Sequence, residues 1–162
     1  MKRAALVFLA GLLAPNIAQA QDVVVTQVGT WTILRSETRC GAINRNPNEF
    51  NLSPYNGLIF RQDAGVKGVS LAVHFWPGAF SGPGDLTLIL AARHQDPFSV
   101  PAAMSMSYSA ETTGPLTSDQ LDTVAKADWL TASVTAADVR VTFKVRDIEA
   151  VLAALAECAE TL

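Results

Sequence analysis

Two cysteines, Cys40 and Cys158, are the side chains of this sequence best suited to redox or nucleophilic chemistry. The export signal described below indicates an oxidising environment, and two cysteines allow only one intramolecular pairing. We expect a Cys40–Cys158 disulfide, which would stabilise the fold by about 4–5 kcal/mol because it closes a long loop. The alternatives are two buried free thiols, or thiols that pair with another chain.

The two histidines, His74 and His94, are the natural candidates for a metal site or a general base. In the hairpin predicted below, His74 faces Thr87, and His94 lies about seven positions farther along at ~3.4 Å per residue. The two imidazoles are then more than about 20 Å apart and cannot share one metal ion. We interpret both as surface residues and predict no metal and no cofactor.

No pattern typical of a catalytic site occurs in the sequence. There is no Gly-x-Ser-x-Gly segment, and the glycine-rich stretch 81–85 contains Pro83 and precedes a strand, so it does not fit a phosphate-binding loop. Asp119 and Asp122 share a helix face near a predicted N-terminus, where negative charge is favoured for structural reasons. We therefore assign no catalytic residue and expect the protein not to be an enzyme.

Aromatic side chains in two loops are the candidate partner-binding residues. Phe75, Trp76 and Phe80 surround a Pro-Gly turn, and aromatic residues on loops often anchor a binding partner. The alternative is that Phe75 and Phe80 pack beneath this turn as part of the core. Phe50 and Tyr55, in an Asn-rich loop, form a second candidate surface.

The N-terminus has the features of a Sec-type signal peptide. Residues 1–3 are basic, residues 4–14 are apolar, and Ala18-Gln19-Ala20 is a small-x-small cleavage site, so the mature chain is expected to begin at Gln21. The apolar segment is too short to span a bilayer, and no later segment is long enough. We predict a periplasmic or secreted protein with one domain, residues 21–162.

The charge balance argues against nucleic acid and anionic membranes as partners. The chain carries a net charge of −3, and loss of Lys2 and Arg3 leaves ten basic against fifteen acidic residues, a net charge of −5. A phosphate backbone or an anionic lipid surface attracts basic patches, which this sequence lacks. The expected partner is another protein or an envelope component, without membrane insertion of the mature chain.

Alternating apolar residues predict a series of antiparallel strands that would position these groups. The strongest patterns are 69–75 and 86–92, and in one register Phe75 faces Leu86, which predicts that the two strands form a hairpin. The other predicted strands are 29–36, 40–43, 58–61, 104–108, 133–135 and 139–146, with a loop over 44–56.

Two helices complete the predicted fold. Thr117 and Gln120 match a capping box that starts a short helix over about 118–127. Asp147 is expected to cap a final helix that runs to about Glu160 and carries Cys158 on its buried face. The predicted class is α+β: an antiparallel β-rich sheet or sandwich, closed by a C-terminal helix, with one short additional helix.

The ends of the chain resemble the invasion-associated locus B family of small exported bacterial proteins. The shared features are Trp31 in the first mature strand, the cysteine at 40, and a strand containing Phe143 before an Ala-rich helix, residues 150–158, with a late cysteine. The resemblance covers about 29–41 and 139–158. It implies a periplasmic or envelope location, a β-rich fold and no established active site.

Three functions are compatible with these patterns. The first is a non-enzymatic periplasmic or secreted binding or accessory protein that acts through its surface loops. The second is an inhibitor of an envelope hydrolase, with the loop 76–85 as the inserted element. The third is a small hydrolase whose catalytic residues converge only in the folded chain.

Overall fold

The computed structural model describes residues 23–44, 56–80, 84–135 and 137–162, which form a mostly β structure with two helices. The elements in chain order are β1 (Val23–Val28), β2 (Trp31–Arg35), β3 (Arg39–Asn44), β4 (Gly57–Asp63), β5 (Ser70–His74), β6 (Asp85–Ala92), β7 (Phe98–Met106), β8 (Ser109–Thr112), α1 (Ser118–Ala125), β9 (Trp129–Val134), β10 (Val139–Lys144) and α2 (Ile148–Ala159). The predicted antiparallel sheet with a C-terminal helix is confirmed, but the helical content is lower than an α+β class implies.

One antiparallel sheet contains these ten strands, in the order β1-β2-β3-β4-β5-β8-β7-β6-β9-β10. The first five strands pair with their sequence neighbours, so this half of the sheet is a meander. A second meander of β6, β7 and β8 runs back toward the first, and β8 pairs with β5. β9 and β10 then extend the sheet from β6.

The predicted hairpin between 69–75 and 86–92 is wrong, although both segments are strands. β5 pairs with β4 and β8, whereas β6 pairs with β7 and β9. Matching apolar alternation fixes which face of a strand is buried, but it does not fix the neighbour. The turns that join β6, β7 and β8 are shorter than the connection from β5 to β6, and shorter loops cost less entropy to close, which favours pairing among those three strands.

Inward-facing side chains of alternate strand positions form a continuous apolar core on one face of the sheet. On β10 they are Val139, Val141 and Phe143, as the alternation predicts, and on β2 they are Trp31 and Ile33. α2 packs its apolar stripe against the same core, on the side formed by β1 to β4. Burial of this apolar surface is the main force that holds helix and sheet together.

The predicted disulfide between Cys40 and Cys158 is present and joins β3 to α2. The two Cα atoms are 6.1 Å apart across a sequence separation of 118 residues. Both cysteines are buried, and Cys40 faces the core between Gly41 and Arg39, which point to the opposite face of the sheet. The bridge therefore fixes the position of α2 on the core side of the first meander.

Two side-chain hydrogen bonds connect the first part of the sheet to its last strand. The Trp31 indole Nε1 donates to the Arg146 carbonyl oxygen at 3.0 Å, and the Asn44 Nδ2 donates to the Lys144 carbonyl oxygen at 3.0 Å. Both donors lie on β2 or β3, near one end of the strand order, whereas the acceptors lie at or just beyond the end of β10. The sheet must therefore curve around its core to bring these strands together.

The helix boundaries agree closely with the sequence patterns, but one capping assignment is wrong. The capping box of α1 is confirmed, with Gln120 N donating to Thr117 Oγ1 at 3.3 Å and Thr117 N donating to Gln120 Oε1 at 2.9 Å. α2 begins at the residue after Asp147, yet that side chain makes no capping hydrogen bond, because its backbone is left-handed at φ 60°. Its carboxylate lies against Gly29 instead, where an added Cβ would come within 2.8 Å of Oδ2.

The sequence patterns missed two strands and misplaced others. β1 and β8 were not predicted, and the segment 104–108 is not one strand, because the chain reverses at 107–108 between β7 and β8. The predicted extension at 133–135 is the end of β9. The predicted signal peptide and nearly all of the predicted Asn-rich loop lie outside the described residues.

Candidate functional site

A groove on the outer face of the sheet, opposite α2, is the candidate functional site. Its floor crosses the first meander, where Leu34 lies opposite Gly41 and Ile43 lies opposite Ile59. The cavity above these residues encloses about 390 Å³. This outer groove exists partly because Gly41 has no side chain: a Cβ there would make only ordinary contacts, but a longer side chain would enter the cavity.

The rim of the outer groove is polar and basic. Arg39 and Arg61 line it, together with His74 and the hydroxyl-bearing Ser36 and Thr38. Both arginines lie at the same end of the groove. Arg61 is paired with Gly41, and Arg39 lies two residues before Gly41 on β3. Ile43 lies on the other side of Gly41, nearer to the end of the groove that His74 lines. The groove thus has two guanidinium groups at one end, an apolar floor in the middle and an imidazole at the other end.

Each arginine is held by a carboxylate from a neighbouring strand. Arg39 donates through Nε to Asp63 Oδ1 at 2.5 Å, directly across the β3–β4 pair. Arg61 donates through Nη1 to Glu111 on β8, reaching across β5. The Arg61 and Glu111 side chains are only 15% and 24% exposed, whereas the Arg39 and Asp63 side chains are about two-fifths exposed.

A second, smaller cavity of about 200 Å³ lies on the other side of Arg61. Asp63 and Glu111 line it, with Arg61 shared between the two cavities. The charges are therefore segregated: the described side chains around the larger cavity include cationic groups but no carboxylate, and both carboxylate partners face the smaller one.

The aromatic turn after β5 divides into buried and exposed rings. Phe75 and Phe80 are buried in the core and contact each other edge to face, with ring centroids 5.3 Å apart. Trp76 remains 39% exposed, two residues beyond His74. The partner-binding role of these residues stays a prediction, but burial leaves Trp76 as the ring available to a partner. Phe50 and Tyr55 lie outside the described residues.

His74 is half-buried rather than fully on the surface. Its ring contacts Tyr108 edge to face, with centroids 5.6 Å apart, and its strand partners are Gly57 and Ser109. The Oγ atom of Ser109 is buried without a hydrogen-bond partner, as is the Oδ1 atom of Asn56. Buried polar atoms usually bond to water when protein partners are absent. Neither atom belongs to a residue that lines the groove, so His74 is the polar side chain at this end of it.

The two histidines do not lie together in the part of the chain that the structure describes. β5 ends at His74, and β6 begins near the same edge of the sheet and runs away from it. His94, in the turn after β6, therefore lies at the opposite edge of the sheet from His74. No three His, Cys, Asp or Glu side chains of the described residues are grouped so that they could hold a metal ion. Asp119 and Asp122 are exposed on α1, far in sequence from both histidines.

Hydroxyl groups at the groove are engaged by backbone carbonyls. Ser36 Oγ donates to the Arg39 carbonyl oxygen at 3.2 Å, and Ser70 Oγ donates to the Arg61 carbonyl oxygen at 3.5 Å. A nucleophilic serine instead needs a base as its hydrogen-bond partner.

Sequence reasoning missed the outer groove because its residues come from four separate strands. One signal was available: Leu58, Ile59 and Phe60 form a continuous apolar run, and strands of this kind are covered on both faces. Ile59 is 4% exposed although it points to the outer face, so the outer face of the sheet is covered at this position.

Comparison with known proteins gives no match: no family model, no curated protein and no solved structure is similar to this chain. The resemblance to the invasion-associated locus B family therefore stays a prediction. Neither helix in the described ranges has both the length and the apolar character that crossing a bilayer requires.

Proposed function

We propose that this protein is a non-enzymatic periplasmic or secreted binding or accessory protein that holds its partner at the outer groove and the adjacent Trp76 turn. The observation that carries this proposal is the preformed cavity of about 390 Å³, whose walls are fixed by strand pairing and by two ion pairs. Cavities of this size with an apolar floor and a few polar groups are typical of ligand-binding sites.

The scaffold supports the same proposal. The groove crosses β2 to β5, and the disulfide and α2 hold this half of the sheet from the other side. A binding site on rigid strands loses little conformational entropy when its ligand arrives. The export signal over residues 1–20 and the disulfide together favour an oxidising compartment as the place where the protein acts.

Capture experiments with matched variants test this proposal. The mature chain, residues 21–162, is immobilised and exposed to envelope extract, and bound material is identified for the wild type and for Gly41→Leu and Trp76→Ala. Both variants should retain the melting temperature and lose the captured material. Thr87→Leu and Val23→Ala are the matched controls, because both sites are exposed on strands outside the groove and the Trp76 turn. Equal capture by all variants would contradict the proposal.

Inhibition of an envelope hydrolase is the second candidate function. It is favoured by the exposed Trp76, whose neighbours Phe75 and Phe80 anchor the turn in the core. Inhibitors of this kind present a rigid loop to the active site of their target. Wild-type protein should then reduce the activity of envelope peptidases or glycan hydrolases, and Trp76→Ala should not.

A hydrolase activity is the outcome that would replace both candidates. Ser109 and His74 are cross-strand partners and are the described residues from which a nucleophile and base would be drawn. Turnover of an ester, peptide or glycan panel that disappears in both Ser109→Ala and His74→Ala would establish such an enzyme.

A further inference from the structure

We propose that the outer groove binds an aliphatic monocarboxylate, with the carboxylate on Arg61 and the chain along the apolar floor. This inference rests on the proposed function, since it names the class of ligand that the groove takes. It follows from the shape, the apolar floor and the separation of charge between the two cavities.

The floor of the groove fits an unbranched apolar chain. Leu34, Ile43 and Ile59 form a strip across three strands, and Gly41 leaves the strip open above it. The strip begins beside the two arginines and leads toward His74. A chain lying along it would cover mainly the half-buried Leu34 and Ile43, because Ile59 is already buried. Removal of that apolar surface from water contributes roughly 25 cal/mol per Å².

The orientation of the ion pairs at the groove favours an anion. Arg39 and Arg61 line the larger cavity, whereas their partners Asp63 and Glu111 line the smaller one. Each guanidinium is neutralised by its carboxylate, so the groove presents guanidinium N–H donors and not a net positive charge. Hydrogen bonds from such donors are strongest to an ionised acceptor.

Arg61 is positioned in advance for a carboxylate. Its side chain is only 15% exposed, and Glu111 fixes its guanidinium through Nη1. A guanidinium carries five N–H donors in a planar fork, and Glu111 takes one nitrogen of that fork. Charge-assisted bonds between a guanidinium and a carboxylate are roughly twice as strong as neutral hydrogen bonds.

The volume of the cavity favours a small free acid over a macromolecular segment. At about 390 Å³ the groove lies near the lower end of the range for ligand sites. It holds one chain and one headgroup, and a planar guanidinium matches the geometry of a carboxylate.

Titration of the mature protein with four probes tests the ligand class. Octanoate should bind, measured by calorimetry or by ligand-observed NMR. Octanol lacks the charge, octylammonium carries the opposite charge and acetate lacks the chain, so each should bind at least about tenfold more weakly, a difference of about 1.4 kcal/mol. Equal binding of octanol and octanoate, or tighter binding of octylammonium, would overturn the proposal.

A charge swap tests the role of the arginine while the ion pair is kept. In Arg61→Glu/Glu111→Arg the carboxylate faces the larger cavity, so octanoate binding should be lost and octylammonium binding gained. Arg140→Gln is the control. Arg140 is exposed on β10, so this substitution also removes a positive charge, but at a site away from the groove. If the swap does not fold, as judged by circular dichroism, Arg61→Gln/Glu111→Gln replaces it and should lose octanoate binding alone. Unchanged octanoate binding in the folded variant would contradict the proposal.

Failure of this inference is distinguishable from failure of the proposed function. If octanoate does not bind but Gly41→Leu still abolishes capture from envelope extract, the ligand class is wrong and the binding site stands. If Gly41→Leu changes neither measurement, both proposals are wrong.

Discussion

Trp31 shows how one side chain can serve two purposes at the centre of the fold. Its ring is fully buried and stacks on Phe60, with centroids 5.4 Å apart. Its indole N–H donates to the carbonyl oxygen of Arg146, 115 residues away in sequence. An indole is a hydrogen-bond donor only, so its bond to this carbonyl offsets the desolvation cost of burying the indole N–H.

We predict that Trp31→Phe lowers the free energy of unfolding by about 1–3 kcal/mol, because the carbonyl oxygen of Arg146 loses its donor while an aromatic ring remains. Urea unfolding followed by circular dichroism measures the change. The control is Trp129→Phe on β9, where the half-buried ring lies 5.9 Å from the Lys144 ammonium and makes no such cross-sheet bond. Its cost should stay below about 1 kcal/mol. Equal costs would show that the hydrogen bond adds nothing.

At the residue scale, burial was predictable and partners were not. The alternation around Trp31 and Val141 places both on the buried face, and the structure confirms it. The carbonyl that Trp31 contacts could not be predicted, because no local pattern encodes a contact across more than a hundred residues. The prediction that Asp147 caps α2 failed for a local reason. The left-handed backbone of Asp147 prevents its side chain from reaching the first turn of α2.

At the scale of elements, α1 is specified by its own sequence. Thr117 and Gln120 exchange two hydrogen bonds at its N-terminus, and Asp119 lies in the first turn, where negative charge is favourable. These contacts lie within four residues of one another, so the sequence pattern alone was sufficient to predict them.

We expect Thr117→Ala to lower the free energy of unfolding by about 1 kcal/mol, because the amide of Gln120 loses its acceptor at the start of α1. Thermal unfolding of the variant beside Ser118→Ala measures the effect. Ser118 also carries an exposed hydroxyl, but it is inside the helix and is not the cap. A loss as large for Ser118→Ala would mean that the capping box does not stabilise the helix.

Strand pairing is the level at which the sequence patterns failed. β5 and β6 are both strands with the expected inward faces, yet β7 and β8 lie between them. β1 escaped prediction because its three consecutive valines do not alternate with polar residues, and in the structure all three are exposed at the edge of the sheet. Long-range pairing depends on loop lengths and on the packing of the whole sheet, which periodicity does not describe.

At the scale of the whole molecule, one covalent bond and one curved sheet organise the fold. The disulfide joins β3 to α2, and Arg35 Nη1 donates to Thr161 Oγ1 just beyond the same helix. These contacts hold the helix against the core side of the meander whose other side forms the groove. The groove itself could not be predicted, since its arginines and its floor become neighbours only when four strands pair in register.

We predict that Cys40→Ala/Cys158→Ala lowers the free energy of unfolding by about 4–5 kcal/mol, because the unfolded chain regains the freedom of a 118-residue loop. Each single variant should cost nearly as much as the double variant, since either one removes the whole bridge. Guanidinium unfolding measures all three.

Alkylation of the native protein provides an independent measurement. Mass spectrometry should detect no alkylated cysteine until a reductant is added, because both sulfurs are in the bridge. Alkylation without reductant would contradict the disulfide and would reopen a role for a reactive thiol.

The position of the two sulfurs has a consequence for biogenesis. Cys40 lies on the third strand and Cys158 on the helix that follows the tenth, so a growing chain carries a solitary thiol until all ten of these strands have been made. In an oxidising compartment, a prematurely released fragment would keep that thiol and remain open to mixed disulfides with thiol oxidoreductases. The bridge can therefore form only in a molecule whose described strands have all been made.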